Sequence, residues 1–309
     1  MKKHLLLYAK GIAMGAADVV PGVSGGTIAF ISGIYEELLR SISSLPGAFT
    51  LFLRGRIAEA WQAANLTFLL TLLAGILTSV VTLARAITYL LDTHPIPVWS
   101  FFFGLVLVSS HLVARSIQRW SPGRWLSFAV GAAFAYWITV ASPVQWGTDS
   151  LNIFFAGAIA ICAMILPGIS GSFILLLLGL YPFIIGAVKS LDLGVLGLFA
   201  CGCALGLVSF AGLLRWMLAR WHDLVLAFLT GLMLGSLNKL WPWKETLTWR
   251  LNSHGEQVPL LQSNLSPSQF ATVSGHDPQL LMAIVLALSG VILVIGIEWL
   301  AKRNQKLLD

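Results

Sequence analysis

Charge is scarce in this chain. Only 10% of its 309 residues are Asp, Glu, Lys or Arg, against about 25% in soluble globular domains, and 57% are hydrophobic. A soluble globular domain is excluded, and a mean hydropathy of +0.85 indicates an integral membrane protein. The alternating ten-residue pattern of a membrane β-barrel is absent too. Apolar runs long enough to cross about 30 Å of hydrocarbon as helices lead to an all-α, polytopic expectation.

Cysteine and histidine are sparse, and both absences remove chemistry. Cys162, Cys201 and Cys203 lie in apolar segments, and on one helix the last two would point about 200° apart, so neither a disulfide framework nor a zinc site is expected. No HExxH or Glu-x-x-x-Glu pattern occurs, and no cofactor or metal is expected. His4, His94, His222, His254 and His276 fall in termini or loops, and His111 lies near a helix end. A membrane lipid-phosphate phosphatase needs a nucleophile with a base beside it, which leaves only Ser24 with Asp18. A non-enzymatic role is therefore expected. The net charge of +6 resides in short loops rather than on a water-exposed domain, so nucleic acid is not an expected partner. The start "MKKHLLLYAKGIAMG" is basic then apolar, but Lys10 interrupts it and no small-x-small cleavage site follows; retention is expected.

What the chain does have is apolar helical pieces. They are expected near 4–18, 24–40, 66–91, 97–114 and 124–140, then 151–165, 170–188, 193–218, 224–240 and 279–300. Residues 43–64 suit a loop with a short interfacial helix, and the polar stretch 241–277 suits an extracytoplasmic loop.

Glycine and proline are placed with a pattern. Pro21-Gly22-Val23-Ser24-Gly25 recurs 146 residues later as Pro167-Gly168-Ile169-Ser170-Gly171, with Gly11/Gly157, Ala17/Ala163, Gly33/Gly179 and Tyr35/Tyr181 in register. A weaker alignment at an offset of 127 pairs Gly75/Gly202, Phe101/Phe228, Gly104/Gly231 and Ser109/Ser236. A duplicated five-element unit follows, 1–145 and 146–309, each unit a re-entrant helical hairpin plus three transmembrane helices. With an odd number of crossings per unit, the two repeats are inverted. Fourteen of the nineteen basic residues then collect on one side: Lys2, Lys3, Lys10, Arg40, Arg54, Arg56, Arg115, Arg119, Arg124, Arg215, Arg220, Lys302, Arg303 and Lys306. That side is cytoplasmic, with both termini on it.

Proline and glycine break the helix at each motif, so Ser24 and Ser170 become N-cap candidates. Unpaired first-turn amides at the positive end of a helix dipole favour an anion, and glycine lets a phosphate approach closely. The candidate phosphate-binding residues are Gly22, Ser24, Gly25, Gly26, Thr27, Gly168, Ser170, Gly171 and Ser172. Arg85, the basic residue well inside a span, is a candidate counter-charge. Asp18, three residues before Pro21, is a candidate carrier of a coupling proton or cation, with pairing to Lys10 an equal alternative. Glu36 is a second candidate.

The segments "GAADVVPGVSGGTIAFISGIYEEL" and "AMILPGISGSFILLLLGLY" resemble the signatures of the bacterial polyprenyl-phosphate (undecaprenyl phosphate) transporter family, formerly a membrane family of unknown function. What the resemblance implies is movement of undecaprenyl phosphate, a lipid carrier of cell-wall synthesis, from the outer to the inner leaflet of the bacterial inner membrane. A channel or carrier for a small anion or ion is the alternative for the same helix ends, and bilayer lipids are the expected surroundings.

Overall fold

The computed structural model describes residues 2–20, 23–251 and 257–306. In the first half, α1 (Lys2–Val19) runs to the first motif, and α2 (Gly25–Ile31) and α3 (Tyr35–Ser43) follow it. Two short helices, α4 (Leu45–Leu53) and α5 (Ile57–Ala63), precede α6 (Leu66–Thr82), α7 (Ala84–Thr93), α8 (Pro95–Ser116) and α9 (Pro122–Val140). The second half repeats the order with α10 (Ser150–Ile165), α11 (Gly171–Leu177), α12 (Tyr181–Ser190) and the long α13 (Leu193–Leu240). A β-hairpin of β1 (Lys244–Leu251) and β2 (Gln257–Asn264), then α14 (Pro267–Ser274), leads to α15 (Leu280–Lys306).

The expected helices over 24–40 and 170–188 are each divided in two, and the reason is glycine. Gly33 has φ +72 and Gly179 φ +71, a left-handed conformation that stops a helix at little strain only in glycine. At both stops the hydrogen bonds match. Ile34 N–H donates to the Ala29 carbonyl and Leu180 N–H to that of Leu175; Gly33 donates to Phe30 and Gly179 to Leu176. The chain bends by 111° between α11 and α12. Conversely, the expected pieces 193–218 and 224–240 join into α13, which changes direction at Trp221 (φ −135, ψ 49). The all-helical expectation is corrected at the polar loop. Its Thr-, Trp- and Val-bearing segments pair as antiparallel strands, from Lys244 opposite Asn264 to Leu251 opposite Gln257.

By length and composition, Pro95–Ser116, Leu193–Leu240 and Leu280–Trp299 can each cross a membrane, and the protein is polytopic. At 18 and 16 residues, α1 and α10 reach only about 27 and 24 Å, short of the hydrocarbon thickness.

Helices pack through glycines, at recurring positions. A Cβ on Gly11 would meet the Leu72 carbonyl oxygen, and one on Gly75 that of Tyr8; in the second half Gly157 meets Phe199 and Gly202 meets Phe154. Tyr8 and Phe154 are 146 apart, and Leu72 and Phe199 are 127 apart. The pairing of α8 with α15, through Gly104 against Ala287 and Gly290 against Phe101, has its likeness in α13 with α9, through Gly231 against Phe128 and Gly131 against Phe228. Small residues at these crossings let backbones approach where lipid gives no hydrophobic drive for association. One buried cluster, including Val20, Val23, Leu39, Leu229, Leu232 and Met233, joins both motif regions to α13.

Glycine at these crossings is testable. A Cβ on Gly202 would lie 2.0 Å from the Phe154 carbonyl oxygen, a backbone atom that cannot yield, whereas Gly186 has nothing within 4 Å. Gly202→Ala should lose about 1–3 kcal/mol and several degrees in thermal unfolding of the detergent-solubilised protein. Gly186→Ala should be neutral or slightly stabilising.

Candidate functional site

The two motifs meet. Thr27 Oγ1 accepts the Gly168 N–H at 3.0 Å, the Ser24 hydroxyl donates to the Met164 carbonyl at 3.0 Å, and the Tyr35 hydroxyl donates to the Ile165 carbonyl at 3.2 Å. Ser24 and Thr27 have 0% exposure and Ser170 has 6%, so these bonds are made away from solvent. The helix breaks free backbone groups that lipid cannot satisfy, and side-chain hydroxyls of the first motif region supply partners for three of those in the second.

The first tip is closed by its own charges. Asp18 Oδ1 accepts the Gly25 N–H at 2.6 Å, and Ser24 Oγ, the N-cap, accepts the Gly26 N–H at 3.0 Å. The expectation that Gly25 and Gly26 offer free amides is therefore corrected: a carboxylate of the chain already sits on the positive end of α2. Lys10 does not pair with Asp18; its Nζ donates to the Ser32 carbonyl at 2.7 Å, at the other end of α2. Lys10 and Asp18 are eight residues, about 12 Å, apart on α1, close to the length of seven-residue α2, so the antiparallel helix α1 complements both poles of the α2 dipole.

The second tip lacks this clamp. The counterparts of Lys10 and Asp18 are Ala156 and Met164. Ser170 occupies the N-cap position, but its hydroxyl bonds to that of Ser172 at 2.8 Å rather than to an amide. Among the described residues, the first-turn amides of Gly171, Ser172 and Phe173 take no partner. Gly22 lies outside the described residues.

Beside this open tip is a cavity of about 820 Å³ that sequence reasoning missed. Its walls include Val19, Trp99, Phe173, Leu176, Tyr181, Lys239, Lys244 and Asp92, and the β-hairpin closes one side through Trp249, Pro259 and Leu261. Lys239 Nζ lies 4.9 Å from the Phe173 ring centroid, and Lys244 Nζ lies 4.1 Å from that of Trp99. Lys244 also donates to the Lys239 carbonyl at 2.5 Å, capping the end of α13. Neither lysine forms an ion pair among the described residues, although Asp92 lines the same cavity. Burial, and secondarily the charge of Lys239, push the Lys244 amine well below the usual lysine range. Two lysine amines thus share a partly apolar chamber, neither in an ion pair among the described residues. In the sequence these lysines looked like ordinary loop and helix-end residues, because the hairpin that folds over them gave no signal.

The other candidates are placed elsewhere. Arg85 is exposed on α7 and is not a wall of the cavity. Glu36 is exposed at the opposite end of the molecule, 3.6 Å from His222 Nε2.

The family described as undecaprenyl phosphate translocase-like matches residues 14–258. The chain belongs to this family. A polyprenyl-phosphate transporter of Vibrio cholerae is 55% identical over 301 residues, 97% of this chain and 98% of the relative. One from Staphylococcus aureus is 33% identical over 251 residues, 75% of this chain and 84% of the relative. Both names denote transporters rather than enzymes, in agreement with the expected non-enzymatic role. No solved structure matches the chain.

Two outcomes test the site. Thr27→Val removes the acceptor of a buried amide and should destabilise the protein by about 1–3 kcal/mol, seen as a lower unfolding temperature. An anion beside Lys244 favours the charged amine and raises its depressed pKa, so between the two values binding takes up a proton. Titrating inorganic phosphate into weakly buffered protein should therefore consume protons, and Lys244→Met should abolish that uptake; affinity should fall as pH rises through the amine's pKa.

Proposed function

We propose that the protein transports polyprenyl phosphate, specifically undecaprenyl phosphate, across the bacterial cytoplasmic membrane from the outer to the inner leaflet. The observation that carries this reading is the lysine cavity beside an open helix end: unpaired cations for a phosphate, and aromatic and aliphatic walls for the start of a prenyl tail. The names of the relatives agree with it. The phosphate sits against Ser170, Gly171 and Ser172 of the second tip with Lys239 and Lys244. Gly168 and the first tip, through Ser24, Gly25, Gly26 and Thr27, brace that seat.

In this reading the halves 1–145 and 146–309 are inverted repeats, each a re-entrant hairpin with three crossings, and rocking of one against the other exposes the seat to each leaflet. The recurrence of glycine crossings at offsets of 146 and 127 supports duplication. The arginine-rich end, with both termini, is cytoplasmic, and the lysine cavity with segment 241–277 faces outward. Inward movement of a phosphate opposes a negative-inside potential by about 2.3 kcal/mol per charge per 100 mV, so a proton or cation accompanies it. Asp18 is the proposed carrier, since protonation would loosen its hold on the Gly25 amide, and Glu36 is a second relay at the inner end.

The test is leaflet-resolved movement of undecaprenyl phosphate in liposomes. Wild-type protein should accelerate it, and Lys239→Gln with Lys244→Gln should slow it at least tenfold. Unchanged rates for Ser24→Ala and Ser170→Ala together would remove the tips from the phosphate's path. Release of inorganic phosphate by the wild type would replace transport with hydrolysis.

A further inference from the structure

A second, smaller cavity of about 380 Å³ lies between α3 and the bend of α13, lined by Glu36, Leu39, Arg40, Arg215, Leu218 and His222. Its cations are unevenly matched. His222 faces Glu36 at 3.6 Å and Asp223 at 3.3 Å, and Asp223 also pairs with Arg124 at 3.0 Å. Arg40 and Arg215 form no ion pair among the described residues; Arg215 Nη1 only donates to the Ser43 hydroxyl at 3.2 Å. Two exposed guanidinium groups thus border a partly apolar hollow with no carboxylate in ion-pair contact among the described residues, although Glu36 lies one turn from Arg40, and a guanidinium fork suits the oxygens of a phosphate.

The location is as telling as the charge. His222 and Lys239 stand seventeen residues apart on one helical run of α13, about 26 Å, close to the hydrocarbon thickness. Tryptophans mark both levels: Trp216 and Trp221 contact at 5.1 Å beside this hollow, and Trp241 and Trp243 at 5.4 Å beside the lysines. The motif contact lies between, because Gly168 packs against Leu232, Met233 and Ser236 of the same run.

We infer that the Arg40–Arg215 hollow is a second phosphate site, at the opposite membrane interface from the lysine cavity, which receives the headgroup once it has passed the tips. As a step in transport this rests on the proposed function; as a binding site it stands alone. The phosphate group is the shared chemistry of two sources, a prenyl phosphate lipid and free inorganic phosphate.

The experiment uses full-length protein in phosphatidylcholine nanodiscs, in a Lys239→Gln/Lys244→Gln background that disables the outer cavity. Equilibrium binding of farnesyl phosphate and of inorganic phosphate is measured separately. Residual binding should weaken at least tenfold in Arg40→Gln/Arg215→Gln and recover in Arg40→Lys/Arg215→Lys, with unfolding temperatures showing all variants folded. Binding of farnesyl phosphate alone names the lipid as occupant; equal binding of inorganic phosphate names the free ion. Residual binding indifferent to both arginines, or none at all, overturns the site. In liposomes, a wild type that fails to move undecaprenyl phosphate while arginine-dependent binding persists removes the transport reading and leaves the site. A wild type that transports, with Arg40→Gln/Arg215→Gln equally fast, removes the site from the path and leaves transport.

Discussion

A helix break inside lipid releases backbone groups that the hydrocarbon cannot satisfy, and the partners found for most of them organise the molecule. The first motif answers its own freed amides through Asp18 and Ser24, and side chains of the first motif region answer backbone groups of the second. The Thr27 hydroxyl answers the Gly168 amide, and the Ser24 and Tyr35 hydroxyls answer the Met164 and Ile165 carbonyls, across 130 to 141 residues of sequence. The second tip could not be buried alone without leaving these polar groups in a medium that offers no substitute. The contact between halves is therefore a condition of folding as much as a feature of a binding site.

Satisfying the breaks in this way produces an asymmetry that the repeated motif hides. Asp18 and Lys10 neutralise both poles of α2, so the first hairpin is electrostatically complete. The second hairpin has Met164 and Ala156 at those positions, the first-turn amides of α11 take no partner among the described residues, and Phe173, Leu176 and Leu177 of that helix share a cavity with Lys239 and Lys244. Under the proposed function, helix end and lysines act together on an anion at this tip and not at the other. A symmetric pair of tips would bind a phosphate equally from both sides; on the proposed reading this asymmetric pair gives it one seat and one brace.

The membrane class, the helical pieces and the paired breaks were legible because hydropathy and Pro-Gly chemistry act locally. Ser24 as an N-cap was readable for the same reason. What escaped was long-range. Gly25 and Gly26 looked free because nothing local shows that Asp18 folds back onto the tip, and Lys239 and Lys244 looked solvated because the strands that roof them pair across a loop. The inner division of the 24–40 and 170–188 pieces was half visible: Gly33 and Gly179 matched at the repeat spacing, but only the backbone reveals that both are left-handed. Arg85, judged by its depth in an apolar stretch, lies on an exposed face, since hydropathy reports how deep a residue lies and says nothing of which way it faces.

The distribution of basic residues follows from the same economy of charge. An ammonium is a compact, strongly hydrated ion whose proton affinity burial can lower, whereas a guanidinium keeps its charge and presents a planar fork. Lysines in the cavity beside the open tip allow the site's charge to respond to its occupant. Arg40 of α3 and Arg215, six residues before the bend of α13 at Trp221, hold their charge whatever occupies the hollow. On the proposed reading, a headgroup travelling from lysine to arginine leaves a site whose attraction weakens once empty and meets one whose attraction is constant. The two levels would then differ in kind, and that difference would give the passage a polarity.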